Sequence, residues 1–267
     1  MPSACGPVAE QAEAAPCCAP CGQPRVHRCR TSVRRCRPRC FRPRLRRCSH
    51  RYVVRRQCST AKPASAATQA EADPWKVLFD GKSLAGWKIT QFGGEGEVEV
   101  RDGMIVLETG ADMTGITYAG DPPRNNYELQ LEGQRLAGSD FFCTTTFPVG
   151  EEYCSLVVGG WGGTVVGLSN VDYYDAGDNF TTKFMEFKDN TWYPIRIRVS
   201  DHQITVWIDG EKMIEQPRKG HKFDLRMEVD LSRPLGVSTW QTAGAVRSIR
   251  VRPLTAEEIA ADAPEEE

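Results

Sequence analysis

Beyond Trp75 the chain alternates apolar and polar residues in short runs, and a period of two admits little except β-strands. Tyr127-Glu128-Leu129-Gln130-Leu131-Glu132 puts its apolar side chains on one face, as do Ile195-Arg196-Ile197-Arg198-Val199 and Ile204-Thr205-Val206-Trp207-Ile208. Asp102-Gly103 and Asp209-Gly210 separate pairs of such runs (Val98–Arg101 from Met104–Leu107, and Ile204–Ile208 from Glu211–Glu215) and read as type I′ hairpin turns. Further short strands are expected at Val165–Leu168, Lys183–Phe187, Arg226–Val229, Leu235–Thr239 and Val246–Val251. The one helical pattern is a final turn at Thr255-Ala256-Glu257-Glu258, with Thr255 placed to cap it. Many short strands with turn signals predict an all-β fold, an antiparallel two-sheet jelly-roll sandwich, over residues 75–255. Residues 256–267 follow as an acidic C-terminal tail.

The formal net charge of −1 hides two different materials. Residues 1–60 hold fourteen basic residues against two acids, a balance of +12, while the remainder holds 20 basic and 33 acidic residues, a balance of −13. The first segment also carries nine of the eleven cysteines and few large aliphatic side chains, so it cannot bury enough apolar area to offset its ordering entropy. It reads as a disordered Arg/Cys/Pro-rich tail, or as a stretch upstream of the true start, with an Ala/Ser/Thr/Gln linker at 61–74. Its clustered arginines suit nucleic acid if the tail is made. A zinc module is a weaker reading, since only Cys18–Cys21 has CxxC spacing. Met1 to Glu13 shows no apolar run of signal-peptide length, and no stretch is long and apolar enough to span a membrane. In the second segment Cys143 and Cys154 flank a turn around Pro148-Val149-Gly150. They are either a cross-strand disulfide or two buried thiols.

The segment Leu78-Phe79-Asp80-Gly81-Lys82-Ser83-Leu84-Ala85-Gly86-Trp87 resembles the opening motif of the 3-keto-disaccharide hydrolase domain family. Val100–Ile105, Asn126–Leu129, Trp192–Ile197, Val206–Gly210 and Pro234–Val251 extend the resemblance over essentially all of 75–255. It implies a concanavalin-like sandwich, export to the periplasm or beyond, a carbohydrate partner, and base-assisted elimination and hydration of 3-keto-glycosides. The chain departs from the family pattern at Gly138–Phe147 and at Cys154–Gly163, where typical members carry an Asn-Ser-Gly-rich strand and a Tyr-Glu pair. A divergent branch follows, and with it a second reading: a non-catalytic glycan- or surface-binding module like the laminin-G sandwiches.

The implied reaction needs a base and a group that holds the enolate. Candidate catalytic residues are Glu228, His221 and Asp172. Glu228 and Asp230 are expected on one face of a strand, as a carboxylate couple. His202 reads as a surface residue. Asp172, Asp175 and Asp178 lie in a Gly-containing loop whose oxygens suit a divalent cation, or they are a solvated turn. Trp161, between glycine pairs, with Tyr173, Tyr174 and Trp240, offers flat faces for sugar rings, and Trp161 is equally readable as a packed sheet residue.

Overall fold

The structure, a computed structural model, describes residues 73–264. The Arg-rich segment 1–60, with its nucleic-acid and zinc readings, and nearly all of the linker lie outside the described residues. Fifteen strands form two antiparallel sheets. The eight-stranded sheet takes β1 (Lys76–Val77), β3 (Val98–Arg101), β4 (Met104–Leu107), β6 (Tyr127–Ala137), β11 (Trp192–Val199), β12 (Gln203–Ile208), β13 (Glu211–Pro217) and β15 (Ala243–Pro253). The seven-stranded sheet takes β2 (Trp87–Ile89), β5 (Met113–Tyr118), β7 (Thr144–Val149), β8 (Glu152–Gly159), β9 (Val165–Ser169), β10 (Lys183–Phe184) and β14 (Gly236–Trp240).

The order of the first sheet is β13-β12-β11-β6-β15-β4-β3, with β1 against β15, and of the second β10-β9-β8-β7-β14-β5-β2. Chain neighbours β14 and β15 therefore belong to opposite sheets, and the result is the jelly-roll sandwich that the alternation predicts. Leu129, Leu131, Ile195, Ile197, Val206 and Ile208 from one sheet meet Ile116, Phe147, Leu156, Leu168 and Val237 from the other in a closed core. Each such side chain stabilises the fold by about 1.5–3 kcal/mol through burial. Both hairpin turns form as expected, with positive φ at Asp102, Gly103, Asp209 and Gly210. Gly133 interrupts the apolar run of β6 because a Cβ there would collide with the Cys143 sulfur.

Three local expectations are corrected, and the open alternative for the two cysteines is decided. The β7–β8 hairpin pairs Phe147 with Cys154 and Thr145 with Leu156, so Cys143 lies further up the ladder and no disulfide joins it to Cys154. Both are buried free thiols, and burial pushes both thiol pKa values up. The segment Met227–Ser232 is a 3-10 helix, not a strand. Pro234 has no N–H to offer a ladder, and Arg226 and Arg233 instead fold back onto Glu228 and Asp230 within the segment. Lys183–Phe187 shrinks to the two residues of β10. A tight turn with positive φ at Trp161, Gly162 and Gly163, labelled α1 (Gly160–Gly163), stands where alternation announces nothing.

The residues after Leu254 form α2 (Ala256–Ala261), capped by Thr255 in a reciprocal capping box with Glu258. Glu128 points to the outer side of β6 and yet is only 1% exposed, because Arg198 and Arg252 donate to its Oε2 at 3.2 and 3.1 Å and Glu258 closes the group from above. The Arg252 hydrogen bond, with help from the Thr255 amide and from Arg198, holds the Glu258 carboxyl down at about 2 against an ordinary value of 4.5. A depressed carboxylate contributes stability above its unfolded pKa and loses it as the pH falls through the folded one. Stability should therefore decline between pH of about 4.5 and about 2, and Glu258→Gln should remove that part of the decline in denaturant titrations run across this range.

Candidate functional site

Alternation in the seven-stranded sheet sends Leu156, Leu168 and Val237 inward and sends Ser155, Ser169 and Ser238 to the opposite face. On that outer face the cross-strand pairs are Ser155 with Ser169, Thr146 with Ser155, Ser238 with Thr144 and Gly236 with Thr146. A sheet face of such small side chains leaves a depression, and a cleft of about 210 Å³ opens there. A dry cavity of about 150 Å³ already admits a benzene ring, so this one has room for a single substituted six-membered ring. Its floor is Thr144, Ser155, Val157 and Ser169. The hydroxyls of Thr144 and Ser238 are buried and have no hydrogen-bond partner within the described residues. An unmade hydrogen bond of this kind costs on the order of 1–3 kcal/mol.

Aromatic and charged groups stand around this floor. Trp161 lines one wall, and Phe141 and Trp240 another, their ring centroids 6.3 Å apart. Trp161 rides on α1, where Gly159, Gly162 and Gly163 all have positive φ and where Trp161 itself has φ of 49°. Asp140 ties that turn down by accepting from the Gly162 amide at 3.3 Å. Arg226 donates to Glu228 Oε1 at 2.8 Å and to Asp175 Oδ2 at 2.8 Å, so one guanidinium links the 3-10 helix to the loop after β9. The Arg226 hydrogen bond holds the Glu228 carboxyl below the ordinary carboxylate value, and Glu228 in turn raises the Arg226 pKa. Both groups are charged at neutral pH.

Of the residues proposed from sequence, Glu228, Trp161 and Trp240 meet in this cleft, and Asp175 reaches it through Arg226. His221 and Asp172 are brought together elsewhere. His221 Nδ1 lies 2.7 Å from Asp172 Oδ2, and Asp172 Oδ1 accepts from the Lys222 amide at 2.9 Å. The Lys222 amide, and after it His221, hold the Asp172 carboxyl low. His221 borders a second cleft of about 470 Å³ along the edge strands β10 and β13, lined also by Phe180, Lys183, Lys212 and Gln216. Tyr173 and Tyr174 are 69% and 58% exposed, and the Tyr173 hydroxyl accepts from Lys222 Nζ at 2.7 Å.

The three aspartates of the proposed cation loop do not converge. Asp172 holds His221, Asp175 holds Arg226 and the Gly177 amide, and Asp178 is exposed. Among the described residues no three His, Cys, Asp or Glu side chains gather as a ligand set. Glu228 and Asp230 do not form a couple either, since each is held by its own arginine. Sequence reasoning missed Arg226, Asp140 and Phe141. Arg226 stands two residues before Glu228, a spacing that hinted at the ion pair, but its contact with Asp175 spans 51 positions and leaves no local trace.

The chain matches the 3-keto-alpha-glucoside-1,2-lyase-like domain family over residues 74–252. An extracellular exo-alpha-L-arabinofuranosidase of Streptomyces chartreusis is 27% identical over 122 residues, 45% of this chain but only 14% of that enzyme. The chain thus matches well under two thirds of that relative's length. Among solved structures, the carbohydrate-binding module CBM66 of Bacillus subtilis superposes with a TM-score of 0.44 at 8% identity, covering 62% of this chain and 95% of the module. The Crh5 transglycosylase in complex with NAG superposes at 0.48 and 12%, covering 69% and 86%.

Arg226→Ala should let the Glu228 carboxyl titrate at higher pH, because the largest cause of its depression is removed. Carboxyl-carbon NMR titration of Glu228 in the two proteins checks the direction. On the match across residues 74–252, the chain belongs to the 3-keto-alpha-glucoside-1,2-lyase-like domain family, a carbohydrate-active sandwich.

Proposed function

We propose that the cleft on the outer face of the seven-stranded sheet holds a glycoside and that the domain acts there on a sugar oxidised at C3. The observation that carries this reading is the convergence of Trp161, Trp240, Glu228 and Arg226 on one small-residue floor, in a chain of this family. A pyranose ring has a C–H face that suits the indole faces, and its hydroxyls suit Asp140, Arg226 and Glu228. In the reaction the C3 ketone acidifies the C2 proton. A base takes that proton, the C1 substituent leaves with its bonding electrons, and water then adds across the double bond. Glu228 is the cleft's carboxylate base, and Arg226 supplies N–H donors for the enolate oxygen. His221 and Asp172, at the second cleft, take no part in this step. Export of the protein belongs to the same proposal, in keeping with an extracellular relative.

A non-catalytic glycan-binding role is the second reading. It is favoured by the neutralisation of Glu228 by Arg226, which lowers its basicity, and by the aromatic character of the walls. The two readings part in one assay. The full chain is incubated with a 3-keto-disaccharide and its products are followed by mass spectrometry, beside Glu228→Gln, Trp161→Ala and His221→Ala variants. The catalytic reading expects cleavage that falls about 100-fold or more in Glu228→Gln, within the usual contribution of a general base, and persists in His221→Ala. Because Arg226 keeps the Glu228 carboxylate ionised, the acid limb of the rate profile should lie below the ordinary carboxylate range and move up in Arg226→Ala. Absence of cleavage, with affinity that is lost only in Trp161→Ala, would instead leave the binding role.

A further inference from the structure

Nine non-glycine residues in the described structure have positive φ, and only two of them are aromatic: Trp161 at 49° and Tyr173 at 72°. Five of the other seven are Asp or Asn, which tolerate the left-handed region, whereas a bulky side chain there is strained. Neither aromatic recovers that cost by burial, since Trp161 is 47% and Tyr173 69% exposed. Glycine at either position would relax the backbone. The chain instead keeps a large flat side chain facing solvent at both.

The two sites are joined by one loop, Asn170 to Asn179. Trp161 packs on Gly177, whose added Cβ would stand 3.2 Å from the indole. Asn179 Nδ2 donates to the carbonyls of Leu168, Tyr174 and Asp175 at 2.8, 3.0 and 2.7 Å and so closes the loop on itself. At its other end Asp172 is held by His221 and the Lys222 amide, and Lys222 Nζ lies 4.6 Å over the Tyr173 ring. The loop therefore meets the first cleft at Gly177 and Asp175, through Trp161 and Arg226, and runs through Tyr174 and Tyr173 to Asp172 beside His221 of the second cleft. Lys222 holds the Tyr173 hydroxyl, Val171 holds the Tyr174 backbone through two hydrogen bonds, and Trp161 rests on Gly177, so the loop's shape is fixed by its own contacts before any ligand arrives.

Resting on the glycoside reading of the first cleft, we infer that the Asn170–Asn179 loop is an extended subsite, on which Tyr174 and Tyr173 stack the further sugar units of an oligosaccharide whose terminal ring occupies the cleft. The ligand class is then a glycan chain of several units rather than a disaccharide. The first cleft alone, with room for one ring, binds the short ligand. The loop adds affinity only for the long one.

The test uses the full chain and calorimetric titration with glucose disaccharides and hexasaccharides, in α-1,4- and β-1,4-linked series, each with and without oxidation at C3 of the non-reducing end. In at least one series the hexasaccharide should bind about tenfold tighter than the disaccharide, as a pair of stacking contacts supplies. The Tyr173→Gly/Tyr174→Ala variant should lose that advantage while keeping the disaccharide affinity, and Trp161→Ala should weaken both lengths. Tyr173→Gly alone should leave the thermal midpoint unchanged or raised, because it relieves the backbone. Equal affinity for the two lengths in every series, or a chain-length advantage that survives the double variant, would overturn the extended subsite and leave the cleft reading standing. A lowered midpoint in Tyr173→Gly would assign Tyr173 to the fold and also overturn it. Failure of both lengths to bind in every series would overturn the cleft reading together with this one.

Discussion

A strand sends successive side chains to opposite faces, and in the seven-stranded sheet that rule separates two jobs that would otherwise compete. Phe147, Leu156, Leu168 and Val237 fill the space between the sheets, while Thr144, Ser155 and Ser169 make a shallow floor on the other side, with Ser238 beside Thr144. A slip of one residue in any of these strands would put a leucine in the cleft and a hydroxyl in the core. The core therefore fixes the register, and the register fixes the floor. Everything around the cleft, from Trp161 on its glycine turn to Arg226 bridging Asp175 and Glu228, is mounted on loops that leave or cross this sheet. The unpartnered hydroxyls of Thr144 and Ser238 sit in a region where the fold gives up some stability, and such places are commonly the ones a protein keeps for its ligands.

The charged residues of the molecule are sorted by the same geometry. The outer face of the eight-stranded sheet is covered by guanidinium groups over indoles and carboxylates: Arg196 lies 3.8 Å from the centroid of Trp207, Arg247 lies 4.0 Å from that of Trp192, and Arg247 also holds Glu132. These contacts satisfy each other within the sheet. On the cleft side the charges lie in loops and in the 3-10 helix, close to the depression. The contrast between a face whose indoles and carboxylates are covered by arginines and a face with a depression, open hydroxyls and exposed rings is why the cleft, not the arginine-rich surface, is read as the ligand face.

The strands and the sandwich were legible in the sequence because alternation is a local signal that survives in runs of four to six residues. Asp102-Gly103 and Asp209-Gly210 were equally legible, since type I′ turns select residues that accept positive φ. The 3-10 helix was not, because Glu228-Val229-Asp230 satisfies period two, and the helix buries only Val229 and Ser232, three residues apart, which is too little to announce its own period. The sulfur atoms of Cys143 and Cys154 required the true centre of the β7–β8 hairpin, and a shift of two residues in that centre separates them. In the site, Trp161 and Trp240 could be named from their neighbours and Glu228 from its charge. Their meeting on one side of the sheet, and the diversion of His221 and Asp172 to another cleft, depend on contacts between distant segments such as Asp175 with Arg226.

The buried Glu128 has a consequence for how relatives of this chain can differ. The family match ends at residue 252, yet the carboxylate near the start of β6 is shielded by Glu258 of the helix beyond it and by Asp262 at that helix's end, through the shared arginines 198 and 252. Three acids and two arginines meet from β6, β11, β15 and the terminal helix, and the arginines draw two of their three acids from the helix and its end. A relative that dispenses with the terminal helix keeps two arginines against the single acid of β6, and must also replace one of those arginines or leave an unbalanced charge out of water. The arginine pair and the presence of that helix should thus be inherited together, although Arg198 lies 60 residues from its partner Glu258 in the chain.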